Sequence, residues 1–207
     1  MSATLKAWVL ATRPKTLFSA VAPVLLGTAL AFSQSQGNLP AALAALLGAV
    51  CIQIATNLAN DYWDAKKGAD TAERLGPVRV TASGLLKPRT GLAGMIVIFL
   101  LATAAGIFLT LRAGWPVLAI GLASIFFGIL YTAGPYSLAY LGLGEVFTFL
   151  FFGLVATAGT YFVQTLSFSP EAVWLGILPG SYSVENISLK NHRERDTDKR
   201  ANKKSHS

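Results

Sequence analysis

From Ala113 to Gly144 the chain contains no Asp, Glu, Lys or Arg. A water-facing helix or sheet needs a polar side, and a run this long without charge offers none, whereas a lipid-facing surface requires none. The rest of the chain shares the bias. Of 207 residues, 53% are hydrophobic and 13% charged, with a mean hydropathy of +0.53. An ordinary soluble domain carries roughly a quarter charged residues.

Six apolar segments stand out, at residues 16–32, 41–57, 92–111, 115–133, 139–163 and 171–178, the last with whatever follows it. About 20 mostly apolar residues cross a bilayer. The third, fourth and fifth segments meet that length comfortably, and the first two reach it with their polar flanks. The sixth is interrupted by Pro179-Gly180 and a polar run. The expected fold is all-α: one multi-spanning transmembrane bundle over residues 1–207, with about six helices and an irregular charged tail at 181–207. Ala41, Ala42, Ala44, Ala45 and Gly48 supply the small side chains that let helices approach closely in lipid. The first segment has a rival reading as a secretory leader, with Lys6, Arg13 and Lys15 before it and Ala29-Leu30-Ala31 resembling a cleavage site. The number of later apolar segments favours a retained span.

Charge sets the orientation. If six helices alternate, all but one of the 17 Lys and Arg residues fall on one side of the membrane, Arg112 being the exception. The positive-inside rule assigns that side to the cytoplasm. The expectation is a multi-pass protein of the cytoplasmic (inner) membrane, with N-terminus, second loop and tail inside. The net charge of +7 does not indicate nucleic acid, because the basic residues are not interleaved with aromatics on a soluble face. Cys51 stands alone in an apolar run, which excludes a disulfide framework and a paired thiolate metal site.

The chemistry concentrates between Thr56 and Asp70, where the second apolar segment leaves the membrane. On a helix, Asn57, Asp61 and Asp64 fall at i, i+4 and i+7 and share a face, and Asn60 pairs with Asp64 at i+4. Carboxylates this close repel unless a cation lies between them, and hard oxygen donors suit Mg²⁺, which commonly bridges to substrate phosphates. Lys66, Lys67, Arg74 and Arg79 follow and can complete a diphosphate site. The competing reading is a solvated helix end with Asn capping. A second run, Asn191 to Arg200, again alternates acids with bases on the same expected side. Alone it reads as a solvated tail; paired with the first cluster it reads as the other jaw of a clamp on a metal-bound diphosphate. Glu145, the acid deepest in an apolar run, leaves open a small transporter or channel subunit.

Several runs resemble the intramembrane aromatic prenyltransferases of the UbiA superfamily. They are Arg13-Pro14-Lys15-Thr16-Leu17, Asn60-Asp61-Tyr62-Trp63-Asp64 with Gly68-Ala69-Asp70, and Gly76-Pro77-Val78-Arg79-Val80-Thr81 with Ser83-Gly84. Tyr131-Thr132-Ala133-Gly134-Pro135, Gly142-Leu143-Gly144-Glu145, Phe151-Phe152-Gly153 and Gly159-Thr160-Tyr161 complete the set. The third acid at Asp70 is similar to the branch acting on 1,4-dihydroxy-2-naphthoate in menaquinone synthesis. The resemblance implies a Mg²⁺-dependent transferase passing a polyprenyl group from polyprenyl diphosphate to 1,4-dihydroxy-2-naphthoate with decarboxylation, giving demethylmenaquinol. It implies catalytic and metal-ligating roles for Asp61 and Asp64, with Asp70, Glu194 and Asp198 as further metal ligands. Asn57, Asn60, Lys67, Arg79, Asn191 and Arg193 are the implied substrate-binding residues.

The second motif departs from the family pattern. Its lead-in, Ser181 to Leu189, is polar where that pattern is apolar; Lys190 stands in place of Asn and Glu194 in place of Asp, and the match resumes at Asp196. The pattern continues for further spans beyond Ser207. The expectation is a locally disrupted, shortened version of such an enzyme, with a non-catalytic fragment, inactive by itself, as the alternative.

Overall fold

The structure, a computed structural model, describes residues 2–68, 79–134 and 137–200, with backbone alone at 140 and 194–200. The regular elements among these residues are all helices: α1 Ala3–Thr12, α2 Pro14–Ser33, α3 Leu39–Lys66, α4 Pro88–Ala113, α5 Trp115–Leu130 and α6 Leu138–Leu141. Then come α7 Gly144–Phe149, a π-helical turn Leu150–Val155, α8 Ala156–Thr165, α9 Pro170–Leu175 and α10 Ile177–Arg200.

Local chemistry sets the boundaries. Ser2, Asn38 and Ser169 cap α1, α3 and α9, each side-chain oxygen accepting from the backbone N–H three residues on, at 3.3, 3.0 and 3.2 Å. Pro14, Pro40, Pro88, Pro116 and Pro170 lie in the first turns of their helices, where a missing N–H costs nothing. Between α1 and α2 the chain turns at Arg13, which takes a left-handed φ of 50° just before Pro14.

Among the described residues four stretches are long and apolar enough to cross a membrane: Pro14–Ser33, Leu39–Lys66, Pro88–Ala113 and Gly144–Thr165. The chain is a multi-pass membrane protein. Leu100, Leu111, Leu122, Phe126 and Phe18 face outward as a lipid-facing surface requires. The first apolar segment is a packed member of the bundle: a Cβ on Gly27 of α2 would lie 2.4 Å from the Thr157 carbonyl of α8. Ala41, Ala42 and Gly48 are buried, in keeping with their expected role in close packing.

Two segments differ from expectation. The fourth apolar run forms a helix of only 16 residues, because the chain turns at Tyr131–Gly134. At 1.5 Å per residue it rises about 24 Å, short of the roughly 30 Å hydrocarbon core. The tail is not irregular from residue 181: α10 continues through Pro179 to Arg200 as one helix of 24 residues. Pro179 is its third residue, where the N–H would lack an intrahelical acceptor in any case. Glycines dock this helix. A Cβ on Gly153 in the π-turn would meet the Gly176 carbonyl at 2.6 Å and the Gly180 Cα at 2.7 Å.

Polar contacts between distant segments sort into the two ends of the bundle, as alternating spans require. At one end Gln164 Oε1 accepts from the Asn38 N–H at 3.3 Å, and Arg112 donates to the carbonyls of Val163 and Gln164 at 2.8 and 3.0 Å. The one basic residue outside the main group thus serves the carbonyl end of α8. At the other end Lys67 reaches Thr132 and Ser137, and Asn191 reaches Glu145.

Candidate active site

The end of α3 carries the first polar cluster. Asn57, Asn60, Asp61 and Asp64 are all buried, and three other parts of the chain hold them. Asn57 Nδ2 donates to the Thr12 carbonyl at 3.0 Å and to Thr16 Oγ1 at 2.9 Å, tying α3 to the junction of α1 and α2. Asn60 Oδ1 accepts from Thr132 Oγ1 at 2.7 Å, beyond the end of α5. Asp61 Oδ2 accepts from the Thr81 N–H at 2.9 Å and from its hydroxyl at 2.5 Å. Asp64 Oδ2 forms a buried ion pair with Arg79 at 2.8 Å. The face expected to be continuous therefore divides: Asn57 and Asn60 line a central cavity, whereas the two carboxylates bond to residues 79–81.

Thr81 and Thr132 are hydrogen-bond partners of the cluster that residue spacing did not single out; both lie in runs that carried the family resemblance. Lys67 Nζ donates to the Thr132 carbonyl at 2.7 Å and to Ser137 Oγ at 3.1 Å. Asn60 and Lys67 thus both bond to Thr132, one to its hydroxyl and the other to its carbonyl. Asp70 lies outside the described residues.

The cavity measures about 420 Å³ and is walled mainly by apolar side chains of α2, α3, α4, α5 and the π-turn region. Phe127, Phe147 and Phe151 group on its wall, with ring centroids 4.7 Å apart for Phe127–Phe147 and 5.6 Å for Phe127–Phe151. Sequence reasoning missed this cluster, since aromatics in an apolar run carry no distinguishing mark. Arg13, Asn57 and Asn60 line the cavity from one side, and Asn186 and Lys190 of α10 from another.

The second cluster is only partly brought to the site. Asn191 Nδ2 donates to Glu145 Oε1 at 3.1 Å, which places it at the start of α7 and not on the cavity wall. Glu145 occupies the first turn of its helix, where an acid is favoured by the helix dipole, and carries no sign of a mid-membrane ion site. Arg193 is exposed, and the side chains of Glu194 and Asp198 lie outside the described residues. Among the described residues no three His, Cys, Asp or Glu side chains gather as a metal site. The donor chemistry at Asp61 and Asp64, hard carboxylate oxygens flanked by amide oxygens, nevertheless fits Mg²⁺.

Residues 20–207 match the UbiA prenyltransferase family. The chain is 36% identical over 194 residues to the 1,4-dihydroxy-2-naphthoate octaprenyltransferase of Bacillus subtilis, covering 93% of this chain and 62% of that protein. It is 37% identical to the protein of that name from Mycobacterium tuberculosis, over 95% of this chain and 67% of the relative. A 2-carboxy-1,4-naphthoquinone phytyltransferase from Synechocystis is 31% identical, over 98% of this chain and 66% of the relative. The chain thus spans about two thirds of the length of these curated relatives.

Proposed function

The chain belongs to the UbiA prenyltransferase family, and from that premise we propose that it transfers a polyprenyl group from polyprenyl diphosphate to 1,4-dihydroxy-2-naphthoate, in menaquinone synthesis. The observation that carries the reading is the cavity: an apolar, aromatic-walled chamber whose polar lining begins at the α3 cluster. A long isoprenoid with a charged head needs such a division of surface, and the names of the relatives supply both substrates.

In the reaction the allylic C–O bond breaks with its electron pair leaving on the diphosphate. The electron-rich ring carbon bearing the carboxylate forms the new C–C bond, and CO₂ departs, its bonding pair restoring the aromatic ring. Charge building on the leaving group is met by cations at the polar end, Arg13 and Lys190 on the cavity wall and Lys67 and Arg79 behind it. The Phe127, Phe147 and Phe151 faces shield the allylic cation from water and stabilise it through their π clouds. Thr81 and Arg79 fix the Asp61 and Asp64 carboxylates in place. Mg²⁺ held by Asp61 and Asp64, with Asp70 and the second-motif acids Glu194 and Asp198 completing its surroundings, would supply Lewis-acid stabilisation of the departing diphosphate. Asn191 and Arg193 belong to the far jaw of the same clamp.

The end of the bundle bearing Asp61 faces the cytoplasm in this reading, with the protein in the cytoplasmic membrane. With Cys51 replaced by Ala, a cysteine at exposed Gln36 should label from outside and one at exposed Lys66 should not; the reverse would invert the orientation.

The functional test is prenyl transfer by the purified chain in detergent with Mg²⁺, a polyprenyl diphosphate and dihydroxynaphthoate. Product that falls by about a hundredfold or more in Asp61→Asn, the usual scale for losing one electrostatic contact to the developing charge, supports the assignment. Product unaffected by that change removes Asp61 from the machinery. Naphthoate binding without turnover marks the non-catalytic alternative, and absence of both rejects the substrate assignment.

A further inference from the structure

Gln53 is buried on α3, one turn before Asn57, and it lines the cavity. Its Nε2 donates to Thr16 Oγ1 at 3.2 Å. The same hydroxyl accepts from Asn57 Nδ2 at 2.9 Å and gives its proton to the Arg13 carbonyl at 3.0 Å. A hydroxyl has one proton to give and two lone pairs to accept with. Because the proton is committed to a carbonyl, both amides that approach Thr16 must donate. This fixes the orientation of the Gln53 amide: nitrogen toward Thr16, oxygen away from it. That oxygen, Oε1, is buried and has no hydrogen-bond partner among the described residues. A buried acceptor left unmade is costly and asks what fills it.

We propose that Gln53 Oε1 accepts a hydrogen bond from the ring hydroxyl of the naphthoate that lies remote from its carboxylate, and so selects a dihydroxy over a monohydroxy ring. The inference rests on the substrate assignment made above. A carbonyl oxygen can only accept, so its ligand must present a donor. The diphosphate of the prenyl donor is a set of acceptor oxygens, and its hydrocarbon tail has neither donor nor acceptor. Of the two substrates only the naphthoate carries O–H groups. Its 1-hydroxyl, adjacent to the carboxylate, donates internally to that group, which leaves the 4-hydroxyl as the free donor. Position agrees with this choice. Gln53 lies about 6 Å along the helix from Asn57, on the side away from the acidic cluster, where a ring attacking the first carbon of the isoprenoid must sit. Ser183 Oγ on α10 is also buried on the cavity wall without a partner, but a hydroxyl can turn to give or to accept. The amide oxygen cannot, and for that reason it carries the information.

The test is equilibrium binding to the purified full chain in detergent under anaerobic conditions, read by quenching of tryptophan fluorescence. The probes are 1,4-dihydroxy-2-naphthoate and 1-hydroxy-2-naphthoate, applied to wild type and Gln53→Leu. Wild type should bind the dihydroxy compound about tenfold more tightly, the worth of one neutral hydrogen bond. In Gln53→Leu that preference should vanish, while affinity for the monohydroxy compound moves by less than about twofold, because the bond it lacks cannot be lost again. A merely structural Gln53 would weaken both ligands by the same factor and keep the preference, and that result overturns the proposal. Wild type binding both compounds equally also overturns it, leaving the substrate assignment intact. Wild type binding neither overturns the assignment and this inference together.

Discussion

At the end of α3, Asn57, Asn60, Asp61 and Asp64 are held by partners from three other parts of the chain: the α1–α2 junction, the turn after α5, and residues 79 and 81. On α10 the comparable stretch draws its position from elsewhere. Among the described residues Asn191 donates to Glu145, and the helix that carries it is docked by close glycine contacts at Gly153, Gly176 and Gly180. The first cluster is positioned by hydrogen bonds, and the helix of the second is docked by close glycine packing. Directional hydrogen bonds from several segments converging on one buried cluster hold it in one geometry, whereas a packed helix can shift by a fraction of an ångström along its contact. The α3 cluster is therefore the fixed jaw of the site and α10 the adjustable one.

The largest expected effect is at the fixed jaw. Asp64→Ala leaves the Arg79 guanidinium buried beside a hole, and breaking one side of a buried pair costs about 3–5 kcal/mol. Removing both partners, in Asp64→Ala with Arg79→Met, should restore a good part of that loss. Thermal unfolding in detergent measures both. If Asp64→Ala melts with wild type, the cluster is not held as described and the contrast between the jaws disappears.

A middle-sized effect is expected where α10 docks. In Gly153→Ala the new methyl group meets backbone atoms of Gly176 and Gly180 that have no flexible end to move aside, and overpacking of this kind costs about 1–3 kcal/mol. The displaced helix should expose its outer half, so tryptic cleavage after exposed Arg193 should accelerate. Unchanged stability together with unchanged cleavage would show that packing at Gly153 does not set the position of α10.

The legibility of the two jaws differed in the same way. The i, i+4, i+7 spacing of Asn57, Asp61 and Asp64 is local, and the structure does place them together at the end of one helix. What spacing could not supply was the identity of their partners, because Thr16, Thr81 and Thr132 come from three other segments and a lone threonine announces nothing. Gln53 did carry a signal, as the first strongly polar residue inside an apolar run, but its amide orientation depends on Thr16. On α10 the polar lead-in and Pro179 suggested a break. Read along a helix, Ser183, Asn186, Ile187 and Lys190 repeat at three to four residues and line the cavity, so much of that polarity faces the chamber and not lipid. The charge-free run from Ala113 to Gly144 was legible as membrane, yet α5 stops at Leu130, for the turn that ends it is made by contacts with Asn60 and Lys67.

The smallest effect gives the most direct comparison of the jaws, with the same truncation made in each. Asn57→Ala removes two donated bonds at a buried position and leaves the Thr12 carbonyl without that donor, so a loss of about 1–3 kcal/mol is expected. Asn191→Ala removes one bond at a half-buried position, where water can replace the amide at the Glu145 carboxylate. Its cost should stay near 1 kcal/mol or below. The two effects should also differ in kind. Losing Asn57 frees Thr16 and with it the anchor of Gln53, so naphthoate affinity should fall along with stability. Losing Asn191 should leave naphthoate affinity within about twofold of wild type, since neither it nor Glu145 lines the cavity. Parallel melting curves and naphthoate titrations on the two variants decide the matter. If Asn191→Ala proves as costly as Asn57→Ala, or weakens naphthoate binding as much, the second cluster is tied into the site as firmly as the first, and α10 is no adjustable jaw.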